Sequence, residues 1–409
     1  MSGFSPITSM RLPGFWLDDP AHRRWLADNA ESQFAFFRAS LRPDAGFHTL
    51  DFNGHPLTNS VQELHTTTRL IHAYALGELR GIEQSMEMVD HGIGYLNSHH
   101  RDIRNGGYFW ALDDGGVIDG RKLAYGHVFV LLAAASALQA GHQHAENLLN
   151  QVSEVLDQHF WDEEHGLFCD EFDADWAPFS RYRGMNANMH GVEALLTAYE
   201  AVGERQFLDR AGRILDFFIG HIAPREGWRL PEHYTDHWQI DRRYAGNPMF
   251  RPAGTTPGHS FELGRLLLQY WDLRGRPDDG SPASARLLIE QACKDAWDDK
   301  RGGFAYTLHF DGSVSIADRY WWPVTEAIGA FASLIKLERR ESDEEWYRRL
   351  WVFSDRMLID HERGGWFPEL GEDDRPVSRQ FRGKPDIYHS VQACIFPLAS
   401  GLSRLSSPA

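Results

Sequence analysis

One pattern is written six times along this chain, and no other feature limits its fold as strongly. Each copy has a glycine followed by an aromatic or apolar residue, then a polar stretch, then an apolar helical segment whose start is rich in Arg, His or Glu. The anchors are Gly46 in Ala-Gly-Phe, Gly107 in Gly-Gly-Tyr, Gly166 in His-Gly-Leu, Gly227 in Glu-Gly-Trp, Gly303 in Gly-Gly-Phe and Gly365 in Gly-Gly-Trp. They lie 61, 59, 61, 76 and 62 residues apart. A period of that length holds two helices and their connection. Six such units predict a closed ring of helix pairs, an all-α (α/α)6 barrel with long loops at one end. The polar residues that follow each glycine then converge on one cavity. The repeat takes in nearly all of the 409 residues, so one domain over 1–409 is expected where length alone would suggest two or three.

Composition narrows the function classes. Hydrophobic residues make up 42% of the chain, enough for a large core. The 14 Trp and 25 Phe suit wide gaps between helices and also the flat faces of sugars. Lys and Arg number 41 against 58 Asp and Glu, a net charge of −17 that repels phosphate backbones, so no nucleic-acid partner is expected. Residues 1–16 lack a basic segment followed by an apolar one, and no run of about 18 apolar residues exists; neither a secretory leader nor a membrane span is expected. Cys169, Cys293 and Cys394 are odd in number and far apart, which fits a reducing cytoplasm and argues against a disulfide framework or a cysteine-based metal site. Oligomeric state is not readable beyond a monomer or a weak homo-oligomer.

Leu17-Asp18-Asp19-Pro20 predicts the start of a first helix, with an Asp cap and a Pro in the first turn. Trp25, Leu26, Ala30, Phe34 and Phe37 continue it at helical spacing. A second helix is expected over 62–78, after the Gly- and Asp-rich loop 42–56. Further apolar helices are expected over 128–138, 145–159, 192–202, 207–219, 261–271, 283–296, 325–337, 344–358 and 390–398. The segments 304–308 and 365–368 read as short strands or extended turns. The fourth unit carries the clearest insertion, 233–256, polar and aromatic with two prolines. A loop that long in a compact domain is usually functional and is expected to act as a lid. A second excursion, 274–284, is Pro- and Asp-rich and expected to be exposed.

Candidate chemistry sits where the second helix of each unit begins. The six starts read His65-Thr66-Thr67-Thr68-Arg69, Tyr125-Gly126-His127, Asn186-Ala187-Asn188-Met189-His190, Pro257-Gly258-His259-Ser260-Phe261-Glu262, Trp321-Trp322-Pro323-Val324-Thr325-Glu326 and Asp386-Ile387-Tyr388-His389. In a ring, equivalent positions occupy equivalent places, so imidazoles, a guanidinium and carboxylates would cluster about one axis. His259 and Glu262 share a helix face at a spacing of three; Asn186 and His190, and Trp322 and Glu326, do so at four. An imidazole at a helix N-terminus is kept neutral by the dipole and can accept a proton. A single such His is more often a cap or a packed residue; it is the recurrence that points to a site. His99, His100, His142, His144, His159, His165, His221 and His361 read as solvated surface or loop residues. Arg69 lies in an otherwise apolar helix and needs a partner, in a site or in a structural ion pair. Trp321 and Trp322 read equally as core packing and as a sugar-stacking wall.

No His-x-x-x-His or His-Glu-x-x-His pair lies on one helix, so no metal is expected; Gly106-Gly107 and Gly115-Gly116 lack the context of a phosphate-binding loop. Neutral His, Arg, Glu and Trp without a metal or nucleotide signature point to proton transfer on a polar, uncharged substrate. A proton beside a carbonyl is moved by a base near neutrality, with donors that hold the developing enediolate oxygen.

These motifs, with Arg183-Gly184-Met185 preceding the third, resemble the N-acylglucosamine 2-epimerase superfamily over essentially the whole chain and in order. The Asn-Ala-Asn-Met-His form and His65-Thr66-Thr67-Thr68-Arg69 resemble its aldose–ketose isomerase branch most. The resemblance implies an (α/α)6 barrel and cofactor-independent interconversion of D-mannose and D-fructose, with lyxose or talose as further monosaccharide substrates. It implies that His259 assists opening of the pyranose ring and that His389 moves a proton between C2 and C1 through a cis-enediolate. Arg69 and His190 would bind the oxygens near it, Glu262 would orient or tune the imidazoles, and Asn186, Trp322, Glu326, Tyr125 and His127 would line the sugar site. If His259 instead delivers the proton to the opposite face of C2, the product is the epimeric aldose. Two other classes compete: a glycoside hydrolase using Asp113 or Asp114, Glu262 and Glu326, for which the imidazole-rich ring is a poor fit, and a helical repeat binding a protein partner, for which a closed ring leaves no long concave face.

Overall fold

In the computed structural model, which describes residue 7 and residues 14–58, 61–248 and 250–403, the six-unit pattern becomes twelve α-helices in two concentric layers. Most of segment 1–16, and Met249 within the 233–256 loop, lie outside the described residues. The helices are α1 (Pro20–Phe37), α2 (Leu64–Glu78), α3 (Ser85–Tyr95), α4 (Ala124–Gln139), α5 (Ala145–Val155), α6 (Met185–Val202), α7 (Arg205–Leu215), α8 (Pro257–Leu273), α9 (Ser281–Ala296), α10 (Trp321–Leu337), α11 (Glu341–Met357) and α12 (Tyr388–Leu398). The even-numbered helices form the inner layer. Each packs on the next, and α12 packs on α2, which closes the ring. The odd-numbered helices lie outside, α3 on α2 through α11 on α10, and α1 lies on α12. The first helix of the chain therefore completes the last pair.

Local chemistry explains the helix starts. Asp19 caps α1 as expected, its side chain accepting from the N–H groups of Ala21 and His22, with Pro20 in the first turn. Helix α3 has no counterpart in the sequence reading. Gly92 in it permits a close approach: a Cβ at that position would meet Ile71 Cγ1 at 2.4 Å. The stretches 156–160 and 216–222, expected to continue α5 and α7, are π-helical.

All six anchor glycines have φ between +64° and +83°, a region that side chains resist. Each ends the turn after an outer helix and lets the following residues dock inward: Phe47, Tyr108, Phe168, Phe304 and Trp366 are buried. In four units an Asp at the head of this turn (Asp102, Asp162, Asp298, Asp360) accepts from two backbone N–H groups within it. Lys122 and Lys384, both buried, reach back to Asp102 at 2.9 Å and Asp360 at 2.7 Å. Just before each inner helix, one residue pairs antiparallel with the next unit: Gln62 with Leu112, Lys122 with Phe172, Arg183 with Tyr234, Thr255 with Leu308, Arg319 with Leu370, and Lys384 with Leu50. These six bridges form a second closed ring, at the end of the barrel where the inner helices start. Of the segments expected to be short strands, 304–308 ends in the strand Thr307–Leu308, whereas 365–368 holds only an isolated bridge at Trp366 and the strand Glu369–Leu370 follows it.

The adjacent glycines 106 and 107 separate backbone strain from crowding. A Cβ on Gly106 meets nothing within 4 Å, whereas one on Gly107 would sit 2.7 Å from Trp176 and 2.8 Å from the His127 ring. Both positions have positive φ. Gly106→Ala should cost about 1 kcal/mol, and Gly107→Ala about 1–3 kcal/mol more, because two packed rings have to move. Denaturant unfolding of the two variants checks the order; equal losses would show that crowding at Gly107 is relieved at no cost.

Candidate active site

Counted from its first residue, each inner helix directs its second and sixth residues toward the barrel axis, the same face one turn apart. The second residues are His65, Tyr125, Asn186, Gly258, Trp322 and His389; the sixth are Arg69, Phe129, His190, Glu262, Glu326 and Ala393. Contacts run around both layers. The Tyr125 ring lies 5.7 Å from His65 and 5.4 Å from His190, and Trp322 lies 5.9 Å from His389. The Arg69 guanidinium is 4.6 Å from the centre of Phe129, whose ring is 4.6 Å from His190. A third layer comes from the ninth residues, His72, Glu193 and Arg265. Arg265 reaches Glu193 at 4.0 Å and Glu326 at 3.8 Å.

Two imidazole–carboxylate pairs stand at the top of this stack. His389 Nδ1 is 2.8 Å from Glu326 Oε1, and His259 Nδ1 is 2.8 Å from Glu232 Oε1. The Trp322 ring contacts both imidazoles, 5.1 Å from His259 and 5.9 Å from His389, while Trp321 is buried against Phe381. Trp321 also lies 5.9 Å from His389, so both tryptophans touch that imidazole and only Trp322 reaches His259 as well. Arg69 donates to Asp386 at 3.0 Å and to the Tyr125 hydroxyl at 2.9 Å, and its guanidinium lies 4.7 Å from the centre of the Tyr388 ring. Asn186 occupies its axial position with a buried side-chain oxygen.

Two expectations, for His127 and Glu326, are corrected by this geometry. His127, the fourth residue of α4, does not join the group: its Nε2 accepts from the Tyr108 N–H, its Nδ1 bonds the Leu123 carbonyl, and Phe160 and Trp176 enclose it. Asn188, at the same helix position in the next unit, holds the Phe168 backbone in the same manner. Glu262, expected to orient or tune the imidazoles, lies against His190, whose Nδ1 is 3.3 Å away, and makes no hydrogen bond to His259 or His389. Glu326 stands behind His389 as its partner, with the residue 2% exposed, and does not line a sugar surface.

Glu232, Glu193 and Arg265 escaped the sequence reading. Glu193 and Arg265 carry the signal that marked Arg69, a charge inside an apolar helix. Glu232 carries none: it lies in a loop 27 residues before its imidazole. Its backbone is held on both sides, by Met185 N–H to its carbonyl and by its own N–H to Gly254. The adjoining 233–256 loop folds back on itself, with His233 Nε2 2.7 Å from the Pro252 carbonyl and the His233 ring stacked on Tyr244. Arg251 ties it to the third unit through Glu171 at 2.7 Å and the face of Tyr182.

Burial sets the charge states. It lowers His389 to about 3 and His190 to about 4, with Arg69 adding to both and Glu193 opposing the shift at His190. Both imidazoles are neutral at pH 7. Burial lifts Glu326 to about 7 and Glu262 well above the usual carboxylate range, the latter helped by Glu326 and Glu193. Burial acts on Glu193 in the same sense, but His190 and Arg265 outweigh it and hold that carboxyl low; the Tyr388 hydroxyl also donates to it. Arg69 stays charged, since Tyr125 and Asp386 outweigh its desolvation. Among the described residues, His190, Glu193 and Glu262 place donor atoms within 4.8 Å of one another and could hold a cation. The Arg265 guanidinium and the Tyr388 hydroxyl already engage Glu193, which opposes one.

The arrangement offers a neutral imidazole backed by a carboxylate, a second imidazole–carboxylate pair across an indole, and a fixed guanidinium: a base, an acid and an oxyanion partner. The sequence profile of the N-acylglucosamine 2-epimerase (GlcNAc 2-epimerase) family matches residues 46–393. The chain is 40% identical to a D-mannose isomerase of Thermobifida fusca over 94% of its own length and 96% of that protein. It is 38% identical to a D-mannose isomerase of Pseudomonas cannabina pv. alisalensis over 94% of each. A crystal structure of a D-mannose isomerase superposes with a TM-score of 0.87 at 35% identity, covering 93% of this chain and 99% of that one. Among the described residues no helix is long and apolar enough to cross a membrane.

The buried imidazoles make the fold acid-sensitive. His22, His65, His72, His100, His127, His190 and His389 are all held well below 6.5 by burial, so they are neutral when folded and take up protons once unfolded. The unfolded chain then binds more protons, and stability falls as pH drops below 6.5. Asp170, Glu262 and Glu326, raised when folded, act in the opposite sense but are fewer. Denaturant unfolding from about pH 7 to about pH 5 should show falling stability, and His22→Gln should reduce the slope by up to about 1.4 kcal/mol per pH unit. Stability that is flat or rises on acidification would contradict these charge states.

Proposed function

The chain belongs to the N-acylglucosamine 2-epimerase family, and we propose that it is a cofactor-independent D-mannose isomerase, interconverting D-mannose and D-fructose. The observation that carries this reading is the His389–Glu326 pair beside Arg69 and His190. With Nδ1 bound to Glu326, His389 keeps its Nε2 lone pair for a substrate proton. His259, held by Glu232, moves a proton between the ring oxygen and the C1 hydroxyl, which opens the pyranose to the free aldehyde. His389 then takes the proton from C2. The electron pair of that C–H bond forms the C1–C2 double bond, and the aldehyde oxygen becomes the enediolate oxygen. Arg69 and His190 stabilise it, and buried donors of this kind are worth roughly 10²–10³ in rate. Return of the proton to C1, with the O2 proton passing to O1, completes the ketose. Asn186, Tyr125 and Trp322 line the sugar, and the 233–256 loop sets how large a sugar enters.

A second reading rests on one feature: His259 and His389 both contact Trp322, so a proton could reach C2 from either imidazole. Delivery from His259 would give the 2-epimer. A time course by NMR with D-mannose in D2O, after EDTA treatment, separates the two. Fructose carrying deuterium, with little glucose, is the expected result; glucose deuterated at C2 would establish the epimerase, and no exchange would overturn both.

The pair also dictates a pH dependence. His389 is a base only while Glu326 is ionised and accepts the Nδ1 proton. Because Glu326 is raised to about 7, kcat/KM for D-mannose should fall as pH drops below that value. Glu326→Gln retains an acceptor but removes the charge that stabilises the imidazolium; it should lower kcat by about 10²-fold or more and abolish this acid limb. An unchanged limb in the variant would assign it to another group.

A further inference from the structure

Glu262 stands apart from the other acids of the barrel interior. Glu193 has Arg265 and the Tyr388 hydroxyl; Glu326 has His389 and Arg265; Asp386 has Arg69. Both oxygens of Glu262 are buried, the residue is 1% exposed, and neither oxygen has a hydrogen-bond partner apart from the close approach to His190 Nδ1 at 3.3 Å. His190 Nδ1 is itself buried and otherwise unpartnered at hydrogen-bond distance, with Glu193 farther off at 3.6 Å. The surrounding groups come from every inner helix: Arg69 and His65 from α2, Tyr125 from α4, His190 and Glu193 from α6, Arg265 on α8 itself, Glu326 from α10, and Tyr388 and His389 from α12. The four carboxylates outnumber the two guanidinium groups, and the guanidinium groups lie against the other three acids. An unpaired buried carboxylate is strongly disfavoured and gives way to its neutral acid.

We propose that Glu262 is a neutral carboxylic acid in the resting protein, that its O–H donates to His190 Nδ1, and that His190 therefore presents an Nε2–H donor to the substrate. A neutral acid needs an acceptor for its proton, and His190 Nδ1 is the bare base beside it. An imidazole that accepts at Nδ1 carries its single proton on Nε2. His190 then acts as a neutral electrophile that donates to the enediolate oxygen without itself becoming charged. The alternative, Nδ1–H donating to Glu193 or to an ionised Glu262, leaves Nε2 as an acceptor, which would repel a developing oxyanion. Burial and the neighbouring Glu326 and Glu193 favour the proton on Glu262. Glu262 is thus a positioning residue for His190, and its effect on turnover rests on the isomerase reading above.

The primary test reads the resting protein and needs no turnover. Long-range 15N–1H NMR of protein labelled with 15N-histidine, with His190→Gln identifying the resonance, reports which ring nitrogen carries the proton. A bare Nδ1 and protonated Nε2 are expected; a protonated Nδ1 would overturn the proposal even if the protein is a mannose isomerase. In infrared spectra, a protonated-carboxylic-acid C=O band should be present in the wild type and missing from Glu262→Gln, and an unaltered band would also overturn it. In turnover, Glu262→Gln, which still offers an N–H to His190, should exceed Glu262→Leu in kcat/KM by roughly tenfold or more. Equal losses would show that the donor to Nδ1 does not matter.

Discussion

Four carboxylates and two guanidinium groups share the interior of a barrel whose walls are apolar helices. Glu193, Glu262, Glu326 and Asp386 face Arg69 and Arg265, all nearly inaccessible to water. Charges so placed have to be paired or neutralised, since the cost of leaving one bare exceeds what a single contact returns. That constraint distributes the groups. Arg69 is locked between Asp386 and Tyr125, and Arg265 lies between Glu193 and Glu326. It also keeps the imidazoles neutral, because an added positive charge would be no better solvated than the guanidinium groups already present. His190 and His389 are neutral at pH 7 as a result of the same burial that gives the barrel its core.

The scaffold meets this demand by repetition. Twelve helices supply six inner starts, and each start is held by the turn that carries its anchor glycine and by a backbone bridge to the next unit. Helix positions two and six face the axis, while position four turns outward to hold that turn. Asn188 and His127 do this work in adjacent units. The ends of the chain use the same rule, since α1 packs on α12 and Lys384 pairs with Leu50. Axial side chains thereby sit on rigid elements, and variation is left to loops such as 233–256, whose backbone holds Glu232 against His259.

Much of this was legible in the residues. The count of units, the inner helix starts and the set from His65 to His389 all follow from one period and its glycines. His127 was misplaced because a helix turns about 100° per residue, and a start expected at 128 and found at Ala124 does not separate an axial side chain from one that faces its own turn. Helix α3 had no counterpart in the sequence reading; its Gly92 admits the Ile71 side chain at a packed contact. Glu193 and Arg265 had the signal that marked Arg69, a charge among apolar residues.

What the sequence by itself determined was the periodic part: six helix pairs, positive-φ turns where only glycine sits without strain, and a concentration of imidazoles at equivalent places. Local patterns carry that information, since propensity, capping and turn chemistry act over a few residues. The tertiary structure alone decided the partners. Glu326 lies 63 residues from His389 and Glu232 lies 27 from His259, and no short-range rule links them. It also decided the charge states, because desolvation belongs to the assembled barrel: Glu262 and Glu193 are the same amino acid in the same cavity, but Arg265 and the Tyr388 hydroxyl engage Glu193, and one carboxyl is set high and the other low.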